Sequence, residues 1–114
     1  MVTTEPDPRE VEFETQVEAL RRHFLQSLPE RRAMLTAAWR DCVDAGEESA
    51  WQRLRDIAHR LSGSAPCYGL DAVGDLARSL DGLLSGKSPC RERAVAAGAV
   101  AELSAALDAA LGCG

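Results

Sequence analysis

Apolar residues recur at three- and four-residue intervals along almost the whole chain, and no segment of useful length alternates apolar with polar. That pattern admits helices and leaves no strand to build a sheet from. Phe13, Val17, Leu20, Phe24 and Leu28 form a first stripe. Leu35, Ala38, Trp39 and Cys42, with Met34 at the edge, form a second. Trp51, Leu54, Ile57, Ala58, Leu61 and Ala65 form a third, and Val73, Leu76, Ala77, Leu80, Leu83 and Leu84 a fourth. The last comprises Val95, Ala99, Val100, Leu103, Ala106, Leu107, Ala110 and Leu111. Composition agrees. Ala and Leu dominate the apolar 46%, and aromatic residues are 4%, which favours helix over sheet.

Turn chemistry divides the stripes. Asp7, Pro8 and Glu10 read as N-cap, N1 and N3 of a first helix. Pro29 cannot donate to the preceding turn, so a break or bend is expected there, with a second helix from about Pro29 to Val43. Asp44-Ala45-Gly46-Glu47 is a turn with Gly46 at the C-cap. A third helix starts near Glu48 or Ser49, is ended or kinked by Pro66 and is closed by Gly69. A fourth begins near Asp71. Ser88 and Pro89 then read as N-cap and N1 of the last helix. Residues 1–6 are expected to be disordered and residues 7–114 to form one domain. Short connections make neighbouring helices antiparallel. The expected fold is all-α: an up-and-down antiparallel four-helix bundle, with an additional N-terminal helix alongside or across it.

At 114 residues there is no room for a second catalytic domain. The net charge is -5, and the sequence pI is about 5.0. No basic stripe dominates, so nucleic acid and anionic membrane are poor partners. No apolar run approaches the roughly 20 residues of a membrane span. The polar, acidic N-terminus does not resemble a signal peptide. The cytoplasm is the expected location. Cys42, Cys67, Cys90 and Cys113 are spread singly, without C-x-x-C or a histidine at metal-ligand spacing, which argues against zinc. Thiols rather than disulfides suit a cytosolic chain. Cys42 is expected in the core.

The chemically distinctive residue is His59. At about 100° per residue, Leu54, Ile57 and Leu61 fall roughly opposite it. Gln52, Arg55, Asp56, Ser62, Gly63 and Pro66 fall within about 60° of it. The imidazole should therefore stand on a polar, small-residue, solvent-facing surface, where Gly63 leaves a partner room to approach. His23 reads as a surface residue, and Trp39 and Trp51 as core anchors. Tyr68 could cap the core or edge the docking surface.

The run His59-Arg60-Leu61-Ser62-Gly63-Ser64-Ala65-Pro66-Cys67-Tyr68-Gly69-Leu70, followed by Val73, Leu76, Ala77 and Leu80, resembles the histidine-containing phosphotransfer (HPt) domain. That family is typified by H-x-L-K-G-[SA]-[SA], a second Gly about six residues after the first, and a leucine-rich helix ending in Glu, Gln or Asp. Phe24-Leu25-Gln26-Ser27-Leu28-Pro29-Glu30-Arg31 and Ala38-Trp39 are similar to its upstream stretch. The resemblance covers the chain from about Val11 to Leu84.

The resemblance implies a phosphocarrier without intrinsic kinase activity. His59 would accept a phosphoryl group from an aspartyl phosphate on the receiver domain of a hybrid sensor kinase and pass it to that of a response regulator. Mg²⁺ would come from the receiver, so the chain needs no cofactor. Asp81 stands where the family often places a residue facing the histidine, and is the candidate orienter of the imidazole. Ser62 departs from the family's usual Lys and brings no charge. Arg55, Arg60 and Arg78 are the candidates to offset phosphate charge in its place. Docking would use Arg55, Ser62, Gly63, Pro66 and Leu70. The alternative is an HPt-like docking module that binds a receiver without phosphotransfer. A monomer is expected, although Cys113 and the Ala-rich last helix leave dimers open.

Overall fold

The computed structural model describes residues 8–85 and 92–112. Among the described residues there are four helices: α1 (Pro8–Asp44), α2 (Glu48–Ser64), α3 (Asp71–Leu84) and α4 (Arg93–Gly112), with a 3₁₀ turn at Ala65–Tyr68 between α2 and α3. Each helix packs chiefly on its two neighbours around a square: α1 on α2 and α4, and α3 on α2 and α4. The expected disorder of residues 1–6, the Asp7 cap, the Ser88 and Pro89 helix start, Cys90 and Cys113 lie outside the described residues.

The additional N-terminal helix does not exist as a separate element. Residues expected to form two helices are one 37-residue helix, and Pro29 sits inside it. The reason is phase. Phe24, Leu28, Leu35, Ala38 and Cys42 are all buried and follow one another at spacings of four, seven, three and four. A helix broken at Pro29 would lose that common seam, and its burial outweighs the roughly 3 kcal/mol that an internal proline costs. Pro29 itself faces solvent, so the Leu25 carbonyl it leaves without an amide partner is on the outer side. One turn away, the Ser27 hydroxyl donates to the Phe24 carbonyl (2.6 Å), and Arg31 Nε donates to Ser27 Oγ (2.8 Å).

The first stripe is only half used. Phe24 and Leu28 are buried, whereas Phe13, Val17 and Leu20 are 66%, 42% and 56% exposed. Met34 and Val95, also expected inward, are exposed at 48% and 42%. The remaining core follows the stripes. Leu54, Ala58, Leu61 and Ala65 from α2 and the turn, Val73, Ala77, Leu80 and Leu84 from α3, and Val100, Leu103 and Leu107 from α4 are buried together. Each fully buried leucine contributes about 1.5–3 kcal/mol. Trp39 and Trp51 meet edge to face, with centroids 6.2 Å apart. Tyr68 caps the core. Its ring stacks on Phe24 at 4.7 Å, and Arg31 lies over the other aromatic partner, 4.9 Å from the Phe24 centroid.

By length and composition α4 is long and apolar enough to cross a membrane, contrary to the expectation from the sequence, although Glu102 and Asp108 interrupt its apolar run. In the bundle its Ala96, Val100, Leu103 and Leu107 face the core, and Asp108 accepts from Arg32 of α1 (3.1 Å).

The turns behave as their residues dictate. Gly46 (φ 65°) ends α1, and Gly69 (φ 83°) ends the 3₁₀ turn, both in the left-handed region where glycine carries no Cβ penalty. Pro66 ends α2 as expected. It also fixes how close α3 comes. A Cβ on Gly74 would lie 2.5 Å and 2.8 Å from Pro66 Cγ and Cδ, whereas a Cβ on Gly63 would meet nothing within 4 Å. A proline ring cannot swing aside, so α3 must stay glycine-faced here. Gly74→Ala is therefore expected to destabilise the bundle by about 1–3 kcal/mol through overpacking. Gly63→Ala should leave stability unchanged or raise it by up to about 1 kcal/mol. Urea unfolding of the two variants checks the contrast.

Candidate functional site

The Pro66–Gly74 contact sets the register of α2 against α3. Moving along the pair, His59 meets Asp81 and Arg55 meets Ser85. Each step back on α2 is matched by an equal step forward on α3, as an antiparallel pair requires. The expected face of α2 is the one that emerges. The His59 side chain is 71% exposed, while Asp81, beneath it, is 19% exposed.

His59 Nδ1 lies 3.1 Å from Asp81 Oδ2. An ionised carboxylate can only accept, so Nδ1 carries the hydrogen of this bond. Nε2 is then the ring nitrogen with an available lone pair, on the exposed side chain. The other carboxylate oxygen is held as well. Ser85 Oγ donates to Asp81 Oδ1 (3.0 Å). Arg55 Nε donates to Ser85 Oγ (3.0 Å) and stands 3.7 Å from Asp81 Oδ1. Asp81 is thus fixed from both sides, which fixes the plane of the imidazole it holds.

Burial pushes the Asp81 carboxyl upward in pKa. Hydrogen bonds from His59 and Ser85, with the charges of His59 and Arg55, outweigh that push and hold it below the usual aspartate value. It is a carboxylate throughout the physiological range.

The other expected site residues divide. Gly63 is exposed and open on its outer side. Ser62 is half-buried, and its hydroxyl donates back to the His59 carbonyl (2.7 Å). Its hydrogen is therefore committed to its own helix. Pro66 is half-buried against Gly74. Of the three arginines, Arg55 joins the Asp81 cluster. Arg78 pairs with Asp75 (3.6 Å) and, by the register above, lies across from Ser62. Arg60 turns the other way, into a groove with Arg31, Met34, Ile57 and Leu61 between α2 and α1. Leu70 is also apart from His59, in a groove at the end of the bundle with Leu25, Val73 and Ala106. His23 is exposed. No group of three His, Cys, Asp or Glu side chains able to hold a metal occurs among the described residues.

Two residues that matter here received no role from the sequence. Ser85 falls four residues after Asp81, where one helical turn brings it to the same carboxylate, and that spacing was the available signal. Gly74 had none, because its role exists only through Pro66.

The family model of the Hpt domain matches residues 19–112. The chain belongs to the Hpt domain family. The match starts later than the resemblance, at residue 19, and extends beyond Leu84 through α4. No curated protein and no solved structure matches the chain. As an Hpt domain it is a phosphotransfer module of the two-component signalling type, a class whose partners are receiver domains.

The lowered Asp81 pKa has a consequence for acid stability. A carboxyl whose folded pKa lies below its unfolded value stabilises the fold above the unfolded pKa, near 3.9. That contribution is lost as pH falls through the folded value. Between about pH 5 and pH 2, the parent is expected to lose more stability than Asp81→Asn. Ser85→Ala should move the Asp81 midpoint upward in a carboxyl NMR titration.

Proposed function

We infer that this Hpt domain carries a phosphoryl group on His59 Nε2, between the receiver domain of a hybrid sensor kinase and that of a response regulator in the cytoplasm. The observation that carries the reading is the exposed imidazole held through Nδ1 by an anchored carboxylate. The Nε2 lone pair attacks phosphorus of the receiver's aspartyl phosphate. An N–P bond forms, the P–O bond to the aspartyl carboxyl breaks, and the carboxylate leaves with the electron pair. Nδ1 keeps its hydrogen, so the ring becomes an imidazolium, and its new positive charge faces Asp81. Electrostatic stabilisation of a charge that develops during reaction is the form of help that accelerates it. Transfer to the second receiver runs the same steps in reverse.

The Mg²⁺ that phosphoryl transfer uses is assigned to the receiver, as the family resemblance implies. Phosphoryl transfer depends chiefly on positioning and charge neutralisation, and this chain's contribution to neutralisation is cationic side chains near His59. Arg55 is the nearest by its shared contacts, and Arg78, across from Ser62, is the second. Arg60 points into the α1 groove and is not part of this set. Docking uses Arg55, Ser62, Gly63 and Pro66 around the imidazole; Leu70 is left out because it belongs to the end groove. Such a transient interface is expected to bury less than about 1,200 Å².

A docking module without phosphotransfer is the second reading. The observation that favours it is Ser62 at the usual Lys position, with its hydroxyl tied to the His59 carbonyl.

Incubation with a panel of phosphorylated receiver domains separates the two. Acid-labile label is expected on the parent and none on His59→Ala. Asp81→Asn should slow transfer by about 10–100-fold, by analogy with metal-binding histidines that lose the partner orienting them. Gly63→Arg should abolish transfer with the helical content and unfolding midpoint retained, because its side chain projects outward. Receiver binding without label on the parent would establish the docking module instead.

A further inference from the structure

Every residue from Glu12 to His23 is exposed. Arg21 reaches the Tyr68 carbonyl (3.2 Å), and Arg22 lies near Leu111 at the end of α4. N-terminal to these, α1 runs on past the bundle, and the molecule is 68 Å along its longest axis. The overhang is not polar. Phe13, Val17 and Leu20 stand in water, in phase with Phe24 of the core, at spacings of four, three and four. That is the alternating d, a, d, a sequence of a coiled-coil seam. Three large apolar side chains left in water on one face favour covering this seam with a partner helix. The family match begins at residue 19, so Phe13 and Val17 lie outside the shared domain.

Charge selects the partner. The outer part of the overhang is mostly acidic, with Glu12, Glu14 and Glu18 against one Arg9, and the part next to the bundle is basic, with Arg21 and Arg22. A parallel copy would set Arg21 beside Gln16 rather than beside an acid. An antiparallel copy sets acid beside base. Its Val17 then packs on Leu20 across a two-fold axis, and Glu14 faces Arg21 of the partner copy, both at e positions on the flank of the seam. A two-fold interface must be self-complementary in this way. Its outer end has a seat too. Beyond the seam, Leu25, Leu70, Val73, Ala106 and Ala110 line an open apolar groove at the end of the bundle, next to Arg21 and within reach of the partner's Phe13.

We propose that the N-terminal overhang of α1 is a homodimerisation element, pairing antiparallel with the same segment of a second copy. This replaces the monomer expected from the sequence, and it is independent of the relay reading, because His59 and its partners line neither the seam nor the groove. The seam is short, so the dimer forms with rising concentration.

Sedimentation velocity from about 1 to about 500 µM is expected to show the mass rising from the 12.2 kDa monomer toward twice that value. Leu20→Glu should remain monomeric throughout, with unchanged unfolding. Glu14→Arg alone and Arg21→Glu alone should each lose association, and an equimolar mixture of the two should regain it as a heterodimer. A parent that stays monomeric over the whole range overturns the proposal. So does association that Leu20→Glu leaves intact, or a mixture no better than its components.

Discussion

The contact between Pro66 and Gly74 is the constraint on which the functional end of this molecule depends. It is a steric interaction with no polar component, yet it decides the chemistry. The proline ends α2 and turns the chain, and the absent side chain at Gly74 lets α3 come back at close range. That distance and register put Asp81 under His59 and Ser85 beside Arg55. Had α3 been held farther out, the same residues would be four solvated side chains. As it is, they form one chain of hydrogen bonds, from a guanidinium through a hydroxyl and a carboxylate to an imidazole.

On the proposed reading, this chain of hydrogen bonds also stands in for the missing lysine. Ser62 cannot offset phosphate charge, and its hydroxyl is turned back on its own helix. The nearest cation lies instead at Arg55, about two turns toward the N-terminus of α2. Arg55 there has two functions that a lysine at position 62 would not combine: it steadies the carboxylate through Ser85, and it holds positive charge close to the imidazole. Arginine suits this role because its planar fork can bind one acceptor while presenting further N–H groups outward.

How much of this could be read beforehand depends on the range of the interaction involved. The helical class, the core faces of α2 and α3, the exposure of His59 and the ends at Gly46 and Gly69 follow from local periodicity and turn chemistry, and they were legible. The Asp81 pairing was legible through family resemblance. Pro29 was misread, because a local rule about prolines competes with a seam that stays in phase across it, and only the packed bundle shows that the seam wins. Phe13, Val17 and Leu20 were misread for the opposite reason. Their periodicity is genuine, but periodicity marks a face without saying that this chain covers it. Arg60 and Leu70 lay near His59 in sequence, and the packing of α1 and α4 drew them elsewhere. Gly74 was invisible because a glycine's meaning resides in its neighbour.

On the proposed reading, Asp81 holds the Nδ1 hydrogen of His59 and so directs phosphate to Nε2. Phosphorylating the ¹⁵N-labelled protein with a small phosphoryl donor and reading the nitrogen–phosphorus coupling of the product tests this most directly. The account requires the phosphorus to be on Nε2 of His59. Phosphorus on Nδ1, the nitrogen facing Asp81, would contradict it.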